Sequence, residues 1–502
     1  MIKQMLRMKI KRSLRQEGVV LGMTGLALVV VLLGDCPAVT QAAATAVNAQ
    51  PVVAALVKTQ TAAELSANWT GDARQTLQDF LRLYGKGSGS YASNNKPYAV
   101  FDFDNTTSIL DVEEQLEIWQ LEHLAFAIKP EQMETVLLTG IPAAKLNLTY
   151  GAADGEGRPV QIRAAIKDAA QAYDDLYKKG YVSTSGKDLS PTVQKDTDYQ
   201  DFVAKMRWLY DAIGETMDAS VSYPWVTYWF TGMKPQEVYK LACACDKYYG
   251  DKSRGQTWNK GKFTSPDRGA AGSVAVSFKQ GITVTPDVKD LYRALDKHGV
   301  DTWINSASPL DVVRAAVATF KIPGVDGIVA MTNKLDKNGR YVNAYDYDLH
   351  AQTQGLGKAE TLVKVVLPKY RGQGPAFCAM DSQGDFNFCT EFKDTKAVLV
   401  MNRTRKDDAA ICAGIAAYQQ EKHLSLAQAN LAGDARFILQ GRNENIGQLW
   451  PQAATWQVGK KAAANLSPKG LKVKAELENG KSIAQVLQAN TQLKNYQGYK
   501  TR

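Results

Sequence analysis

The 502 residues of this chain, 45% of them apolar and 22% charged, have the composition of a soluble globular protein and suffice for about three domain-sized units. No run of about 20 apolar residues follows the N-terminal region, which excludes a membrane-spanning body. The net charge of +9 is spread too diffusely for a nucleic-acid-binding surface, and its one basic cluster lies at the N-terminus.

Residues 1–43 have the layout of a secretory signal peptide. A basic segment precedes the uncharged stretch Gly18–Gly34, and small residues surround Ala43. We therefore expect cleavage near Ala43 and an extracytoplasmic location, secreted or periplasmic. The alternative is an uncleaved leader that anchors the protein in the membrane. A lipid anchor at Cys36 is disfavoured because Asp35 precedes it.

Helical periodicity begins soon after the leader. Ala62 to Tyr84 repeat apolar residues at helical spacing, and residues 85–95 are rich in Gly, Ser and Asn. Residues 44–96 are therefore predicted to be an N-terminal helical segment and linker. The apolar run Tyr98–Phe101 indicates a short buried strand. Directly after it come Asp102-Phe103-Asp104-Asn105-Thr106 and a Glu-rich helix.

Residues 121–283 interrupt the alternation of strands and helices. Asp198 to Met217 have a helical pattern, an aromatic patch lies at 223–230, and 246–279 is polar and rich in Gly. We therefore predict a large, mainly helical insertion at 121–283.

The alternation returns at Thr285 and predicts a sheet. Thr285-Pro286 has the N-cap and N1 signature of a helix, which Gly299 ends. The further predicted elements are a strand at 300–304, a helix at 310–320, a hairpin at 328–345 with Asn338-Gly339 at its turn, a helix at 358–367, and strands at 376–380 and 395–401. Such alternation is typical of an α/β fold with a doubly wound, mostly parallel, Rossmann-like sheet. The predicted core comprises 97–120 and 284–402, and 403–502 form a C-terminal extension to which we assign no function.

Reactive side chains stand at four strand ends or helix starts of this alternating part. They are Asp102 with Asp104 after the first strand, Ser306 after the strand at 300–304, Lys358 at a helix start, and Asp381 with Asp385 after the strand at 376–380. Open α/β sheets bind ligands at the carboxyl ends of their strands, so we expect these side chains to meet. Phosphoryl transfer to a carboxylate uses all of them, because it needs a nucleophile, a proton carrier, a cation and fixed positive charge.

Each side chain has a predicted role in that reaction. Asp102 is the predicted nucleophile, and Asp104 is predicted to protonate the leaving alkoxide and then deprotonate the attacking water. Lys358 supplies an ammonium and Ser306 a hydroxyl for the phosphoryl oxygens. Taken singly, these residues are more typical of helix caps or a solvated surface. Ser308-Pro309 fits the N-cap and N1 positions of the next helix better, which leaves Ser306 for phosphate.

The acidic residues also predict a metal site. Asp102 and Asp381 are expected to hold Mg²⁺, with Asp385 supporting it from the same loop, because carboxylate oxygens suit this hard cation. The cysteines do not have the spacing of a zinc site. A disulfide between Cys378 and Cys389, which bracket the acidic loop, is a hypothesis.

The ordered set resembles the haloacid dehalogenase-like hydrolase superfamily over about residues 97–402. The family pattern is a strand ending in Asp-x-Asp-x-Thr, then a strand-end Ser or Thr, a Lys and an acidic pair; it is matched here by Asp102-Phe103-Asp104-Asn105-Thr106, Ser306, Lys358, and Asp381 with Asp385. Asn305 to Pro309 look like the phosphoserine-phosphatase-like branch. The resemblance implies an aspartyl-phosphate intermediate, an insertion that acts as a cap, and Mg²⁺ ligation that includes the Asp104 carbonyl. It also implies phosphate binding by the backbone of Phe103 and Asp104, with Ala307 beside Ser306 as a further position.

A closer resemblance concerns the organic part of the substrate. The segments Pro97 to Thr106, Asp111 to Glu114 and Tyr223 to Val226 look similar to secreted bacterial phosphorylcholine phosphatases. A quaternary ammonium is recognised by aromatic rings with a carboxylate nearby. The candidate specificity residues are Glu113, Glu114, Trp208, Tyr210, Tyr223 and Trp225. Such aromatic residues are more often part of a packed core, and such glutamates are more often on a solvated helix face.

The sequence thus predicts an exported, Mg²⁺-dependent phosphomonoesterase that acts on a small phosphoester such as phosphorylcholine. Phosphoserine, phosphoethanolamine and sugar phosphates are alternative substrates. A dehalogenase is disfavoured, because Asp104 has no task in that reaction. The alternative from a different class is a non-catalytic surface protein that uses the insertion to bind a ligand or partner.

Overall fold

The computed structural model describes residues 65–152, 159–250 and 258–502. The predicted signal peptide and the first part of the N-terminal segment lie outside the described residues. Within the described part of the chain, no helix is both long and apolar enough to cross a membrane.

A six-stranded sheet forms the centre of the fold. The strands of the described chain, numbered in sequence order, are β1 (Tyr98–Phe101), β2 (Thr149–Ala152), β3 (Pro159–Gln161), β4 (Asn259–Thr264), β5 (Ala275–Gln280), β6 (Asp301–Pro309), β7 (Gly327–Met331), β8 (Asn333–Leu335), β9 (Tyr341–Tyr345), β10 (Phe377–Met380), β11 (Ala397–Met401), β12 (Arg436–Gln440), β13 (Arg442–Asn443) and β14 (Gln448–Leu449). The central sheet has the order β12-β11-β10-β1-β6-β7, and all five pairings are parallel. The predicted fold class, a doubly wound parallel sheet, is confirmed.

Helices cover both faces of this sheet, as the buried apolar strands require. The helices of the described residues are Gly71–Tyr84, Val112–Glu122, Pro130–Leu138, Ile162–Lys178, Pro191–Gln194, Thr197–Thr216, Ala219–Thr227, Pro235–Tyr249, Pro286–Lys297, Leu310–Thr319, Leu356–Thr361, Phe386–Thr390, Ala409–Glu421, Leu426–Leu431, Pro468–Glu478 and Ile483–Asn490. The helix Pro286–Lys297 begins as predicted, because the Thr285 side chain accepts a hydrogen bond from the Val288 N–H.

The region 121–283 has a hydrophobic core of its own. Phe126, Tyr173, Phe202 and Trp229 are buried there in contact with one another. Aromatic side chains of this size supply much of the burial that holds such a core together. The region is mainly helical, as expected, and adds the two-stranded pairs β2–β3 and β4–β5.

Three predictions differ from the structure: the position of a hairpin, the end of the sheet and a disulfide. The first strand of the predicted hairpin, Gly327–Met331, joins the central sheet, and the hairpin consists of β8 and β9 instead. The sheet also continues past residue 402, because Arg436–Gln440 pairs in parallel with Ala397–Met401. The predicted C-terminal extension therefore contributes an edge strand to the sheet. Cys378 and Cys389 are free thiols, so the structure contradicts the disulfide hypothesis.

Candidate active site

Asp102 stands at the carboxyl end of β1, at the start of a tight turn. Its backbone N–H continues the ladder by donating to the Ala379 carbonyl at 3.1 Å. Thr106 Oγ1 donates to Asp102 Oδ2 at 2.9 Å, and Thr107 Oγ1 donates to the Asp102 carbonyl at 2.8 Å. Asn105 takes a left-handed φ of 60° to close the turn, a conformation that asparagine tolerates better than most residues. The turn thus fixes one carboxylate oxygen of Asp102.

Lys358 holds the other oxygen. Its Nζ lies 2.6 Å from Asp102 Oδ1 and 2.6 Å from Asp385 Oδ1, and all three residues are buried. Burial alone would lower the pKa of Lys358, but the carboxylates of Asp102 and Asp385 raise it overall. A permanent ammonium therefore lies between two carboxylates.

Three carboxylates converge beside this ammonium. Oxygens of Asp102, Asp381 and Asp385 lie within 4.8 Å of one another. Burial, followed by the nearby Asp385, raises the pKa of Asp102 to about 8 against the opposing effect of Lys358. Burial also raises the pKa of Asp385. Buried oxygen donors that repel one another are the environment that a hard divalent cation relieves, so the donor set fits Mg²⁺.

The side chain of Asp104 lies outside this group of three carboxylates. Its Oδ2 accepts hydrogen bonds from Ser308 Oγ at 2.7 Å and Ser306 Oγ at 3.2 Å, and its Oδ1 accepts one from the Val112 N–H at 2.8 Å. Burial, followed by the charges of Asp111 and Asp102, raises the pKa of Asp104 well above its usual value. A carboxyl group whose pKa is raised holds its proton to higher pH, as a general acid must. Metal ligation by the Asp104 carbonyl stays a prediction.

Sequence reasoning assigned Ser308 to a helix cap, whereas the structure places it at the site. The helix Leu310–Thr319 has Pro309 at its N-cap and no side-chain cap, which leaves the Ser308 hydroxyl to donate to Asp104. Ser306 is fully buried behind it, and its Oγ accepts a hydrogen bond from the Ser308 N–H at 3.1 Å. Ser308 and Ala307 therefore face the site more directly than Ser306.

Of the predicted phosphate-binding residues, Lys358 and Ala307 line one cavity together with Ser308 and Arg405, whereas Ser306 and Phe103 do not line it. This strand-end cavity, of about 100 Å³, is lined by Asp102, Asp104, Ala307, Ser308, Lys358, Asp381 and Arg405, among others. Phe103 packs its ring into the hydrophobic core, fully buried, so that only its backbone can serve a ligand. Asp385 lies behind Lys358, also fully buried.

Arg403 and Arg405 contact the site but were not predicted from the sequence. Arg405 NH2 lies 2.5 Å and Arg403 NH1 lies 3.6 Å from Asp381 Oδ2. Their position in the sequence could have indicated this role. Both residues follow closely after β11, whose carboxyl end lies at the same edge of the sheet as the site.

A second cavity, of about 310 Å³, opens beside the first. This insertion cavity shares Asp111, Glu113 and Tyr223 with the strand-end cavity. Its further lining includes Tyr150, Tyr210, Asp211, Glu215 and Trp225. The lining is thus acidic and aromatic, a combination that suits a cationic organic group.

The predicted specificity residues divide into two sets. Glu113, Tyr210, Tyr223 and Trp225 line the insertion cavity. Glu114 instead binds Arg207 at 2.6 Å, and Trp208 is buried in the core of the insertion against Tyr150. The structure therefore does not bring Glu114 and Trp208 to the cavity lining, since both are engaged in holding the insertion together.

Glu113 is the unusual member of the first set. Its Oε1 is buried and has no hydrogen-bond partner among the residues that the structure describes. Burial, followed by the charges of Asp111 and Glu117, raises the pKa of Glu113 well above its usual value. An unpaired buried carboxylate is costly, and a bound cation offsets that cost.

No protein-family model matches the chain, and no curated protein matches it in sequence. Among solved structures, a conserved functionally unknown protein from Anaerococcus prevotii DSM 20548 is 26% identical, with a TM-score of 0.65 over 80% of this chain and 100% of its own. A HAD family hydrolase from Salmonella enterica subsp. enterica serovar Typhi is 8% identical, with a TM-score of 0.28 over 62% of this chain and 65% of its own. A phosphoserine phosphohydrolase-like protein from Francisella tularensis subsp. tularensis SCHU S4 is 13% identical, with a TM-score of 0.25 over 61% of this chain and 87% of its own. The similarity to the Anaerococcus prevotii protein extends over the fold. The similarities to the other two structures, with TM-scores of 0.28 and 0.25, carry no argument about function.

Proposed function

We propose that this protein is a Mg²⁺-dependent phosphomonoesterase that works through an aspartyl-phosphate on Asp102. The observation that carries the proposal is the Lys358 ammonium, which lies 2.6 Å from both Asp102 and Asp385 beside three convergent carboxylates. Fixed positive charge next to a carboxylate nucleophile and a set of oxygen donors is the equipment of phosphoryl transfer.

In the first step a carboxylate oxygen of Asp102 attacks the phosphorus, and the bond from phosphorus to the ester oxygen breaks. Thr106 and Lys358 hold the two oxygens of Asp102 in place for this attack. Asp104 gives its proton to the departing alkoxide, so the organic product leaves as a neutral alcohol. Lys358 offsets the negative charge on the phosphoryl oxygens, while the Ser308 hydroxyl keeps its hydrogen bond to Asp104.

In the second step water attacks the phosphorus of the aspartyl-phosphate. Asp104, now a carboxylate, takes the proton of this water, and the bond from phosphorus to Asp102 breaks to release inorganic phosphate. Asp102, Asp381 and Asp385 would hold the Mg²⁺, which supplies charge neutralisation for the phosphoryl group when it is bound. Both steps balance without any further reactant.

The insertion cavity favours a phosphoester with a cationic organic part, such as phosphorylcholine. Glu113 has an unpaired buried oxygen there, and Tyr223 and Trp225 add aromatic surface. A quaternary ammonium needs no hydrogen-bond acceptor and is attracted by both kinds of group. The acidic lining disfavours the carboxylate of phosphoserine, and a sugar would leave Glu113 without a countercharge.

The test is release of inorganic phosphate from phosphorylcholine, phosphoethanolamine, phosphoserine and a sugar phosphate, with MgCl₂ or with EDTA. We expect release that requires Mg²⁺, with the highest kcat/KM for phosphorylcholine. No release from any substrate would overturn the phosphatase and leave the non-catalytic binding protein. A preference for the sugar phosphate would overturn only the assignment of the cationic substrate.

We also propose that the protein is exported after removal of residues 1–43. The support is the order of basic, apolar and small residues in that segment. Mass spectrometry of the mature N-terminus, with fractionation of the producing cells, tests this. A mature chain that retains Met1 and stays with the membrane would favour the uncleaved anchor.

A further inference from the structure

The C-terminal region contributes a charged chain of contacts that ends at the active site. Asp381 is almost fully buried, and its Oδ2 is contacted by Arg405 NH2 at 2.5 Å and Arg403 NH1 at 3.6 Å. Behind them, Arg403 Nε lies 3.1 Å from Glu444 Oε1. Glu444 lies in the segment that follows β12, a segment to which the reaction steps assign no role.

The Glu444 side chain is itself fixed by Arg442 and by the backbone of Val458. Its side chain is 1% exposed, its Oε1 accepts from Arg442 NH2 at 2.9 Å, and its Oε2 accepts from the Val458 N–H at 3.1 Å. Burial alone would raise the pKa of Glu444, but Arg442 and Arg403 outweigh it and lower the pKa to about 2. The carboxylate is therefore charged near neutral pH, and its hydrogen bond to Arg403 is charge-assisted.

The other end of the same segment reaches the catalytic turn. Arg442 is 1% exposed, and its NH1 donates to the Ser108 carbonyl at 3.1 Å. Ser108 closes the turn that carries Asp102, since its N–H donates to the Phe103 carbonyl at 2.9 Å. Two neighbouring side chains, Arg442 and Glu444, thus connect the Asp102 turn with the Asp381 loop.

The backbone between the two arginines is unusual. Thr404 has a φ of 53°, which a β-branched residue adopts only at a cost in energy. The Asn402 side chain stabilises this conformation by accepting a hydrogen bond from the Thr404 N–H at 2.9 Å. The left-handed residue lies between Arg403 and Arg405, which both reach Asp381.

We propose that Arg405, Arg403 and Glu444 are positioning residues that hold Asp381 in the orientation in which it ligates Mg²⁺. The inference rests on the proposed function. Both arginine contacts of Asp381 that the structure describes fall on Oδ2, so Oδ1 is the oxygen available to a cation. Partners that orient a ligating carboxylate contribute about 10- to 100-fold to metal affinity.

The expected sign of the effect is specific to a positioning role. Arg405 carries a positive charge close to the cation site, so on charge alone its removal should tighten Mg²⁺ binding. If Arg405 instead orients Asp381, its removal weakens binding, because the carboxylate must be ordered by the metal itself. The two roles therefore predict changes of opposite direction.

The test is calorimetric titration of MgCl₂ alone, without substrate, into the full chain and its variants. We expect Arg405→Ala to weaken Mg²⁺ binding about tenfold, Glu444→Gln to weaken it in the same direction, and Arg405→Lys to recover part of the loss. Asp72→Asn is the matched control, because Asp72 pairs with buried Arg436 at the opposite end of the strands from Asp381. It should leave Mg²⁺ affinity unchanged.

Unchanged or tighter Mg²⁺ binding by Arg405→Ala would overturn the proposal, even if Glu444→Gln failed to fold. Kinetics at saturating Mg²⁺ give a second criterion. A positioning role leaves the KM for the phosphoester near the wild-type value, whereas a tenfold higher KM would show that Arg405 binds the phosphoryl group instead. A wild-type protein that binds no Mg²⁺ would overturn the proposed function and this inference together, an outcome distinct from a failure confined to the variants.

Discussion

The strand-end cavity and the insertion cavity share a wall but are built on different principles. In the strand-end cavity both cationic side chains are paired, Lys358 with Asp102 and Arg405 with Asp381. In the insertion cavity Glu113 has an unpaired buried oxygen. The first cavity is arranged before any ligand arrives, whereas the second contains a carboxylate that a cationic ligand can neutralise. Under the proposed function, chemistry and selectivity thus belong to different parts of the chain.

The largest expected effect tests the strand-end cavity. Asp102→Asn removes the nucleophile, and we expect kcat to fall by about 10⁴-fold or more. Lys358 keeps its contact with Asp385, so the folded state should survive. The measurement is phosphate release together with thermal unfolding. Substantial activity in a folded Asp102→Asn protein would contradict the assignment of the chemistry to the strand-end cavity, because the reaction would then not need the Asp102 carboxylate.

A smaller loss is expected for the proton carrier. Asp104→Asn should lower kcat for phosphorylcholine by about 10²- to 10⁴-fold. With an aryl phosphate, whose leaving group needs little protonation, the variant should form the aspartyl-phosphate and then stall, because Asp104 also activates the water. The expected observation is a burst of one equivalent of phenol per enzyme. Equal losses for both substrates, with no burst, would contradict the dual role of Asp104.

The two cavities also differ in how far the sequence predicted them. The strand-end residues could be foreseen because a parallel sheet brings the carboxyl ends of its strands together, whatever the loops do. Ser308 was missed because Ser-Pro before a helix is also a capping pattern, and only the geometry shows its hydroxyl on Asp104. Arg403 and Arg405 were missed because the long reach of an arginine side chain depends on tertiary placement.

The insertion cavity was foreseen only in part, because its residues are chosen by packing between helices. Glu113 and Glu114 are neighbours in sequence, yet one lines the cavity and the other binds Arg207. Trp208 had the right chemistry but faces the core of the insertion. Asp211 and Glu215, which were not predicted, lie one helical turn apart on the helix Thr197–Thr216 and line the cavity together.

The neighbouring glutamates provide a direct test of the insertion cavity. Glu113→Gln should raise the KM for phosphorylcholine about tenfold, the scale of one desolvated cation contact, and leave an aryl phosphate nearly unaffected. Glu114→Gln is the matched control and should change neither KM by a comparable factor. The measurement is the ratio of the two KM values in each variant. A larger effect from Glu114→Gln would mean that the cation is bound elsewhere.

The smallest expected effect is a pH dependence confined to the cationic substrate. Burial, followed by Asp111 and Glu117, raises the pKa of Glu113, with Asp104 and Glu114 adding to the shift. Below that raised pKa the carboxyl is neutral and attracts a cation weakly; above it the carboxylate is charged. The KM for phosphorylcholine, divided by that for an aryl phosphate, should therefore fall as the pH rises.

The ratio is informative because both substrates carry a phosphate monoester, so the ionisation of the phosphate and of the strand-end residues affects both KM values similarly. Glu113→Gln should give a ratio that is flat with pH and close to the acidic limit of the wild type. Binding of the cationic substrate below the raised pKa should also release a proton, which calorimetry in buffers of different ionisation enthalpy detects. A wild-type ratio that does not change with pH would show that Glu113 is already charged in the free protein, and that the insertion cavity is as fully arranged before binding as the strand-end cavity.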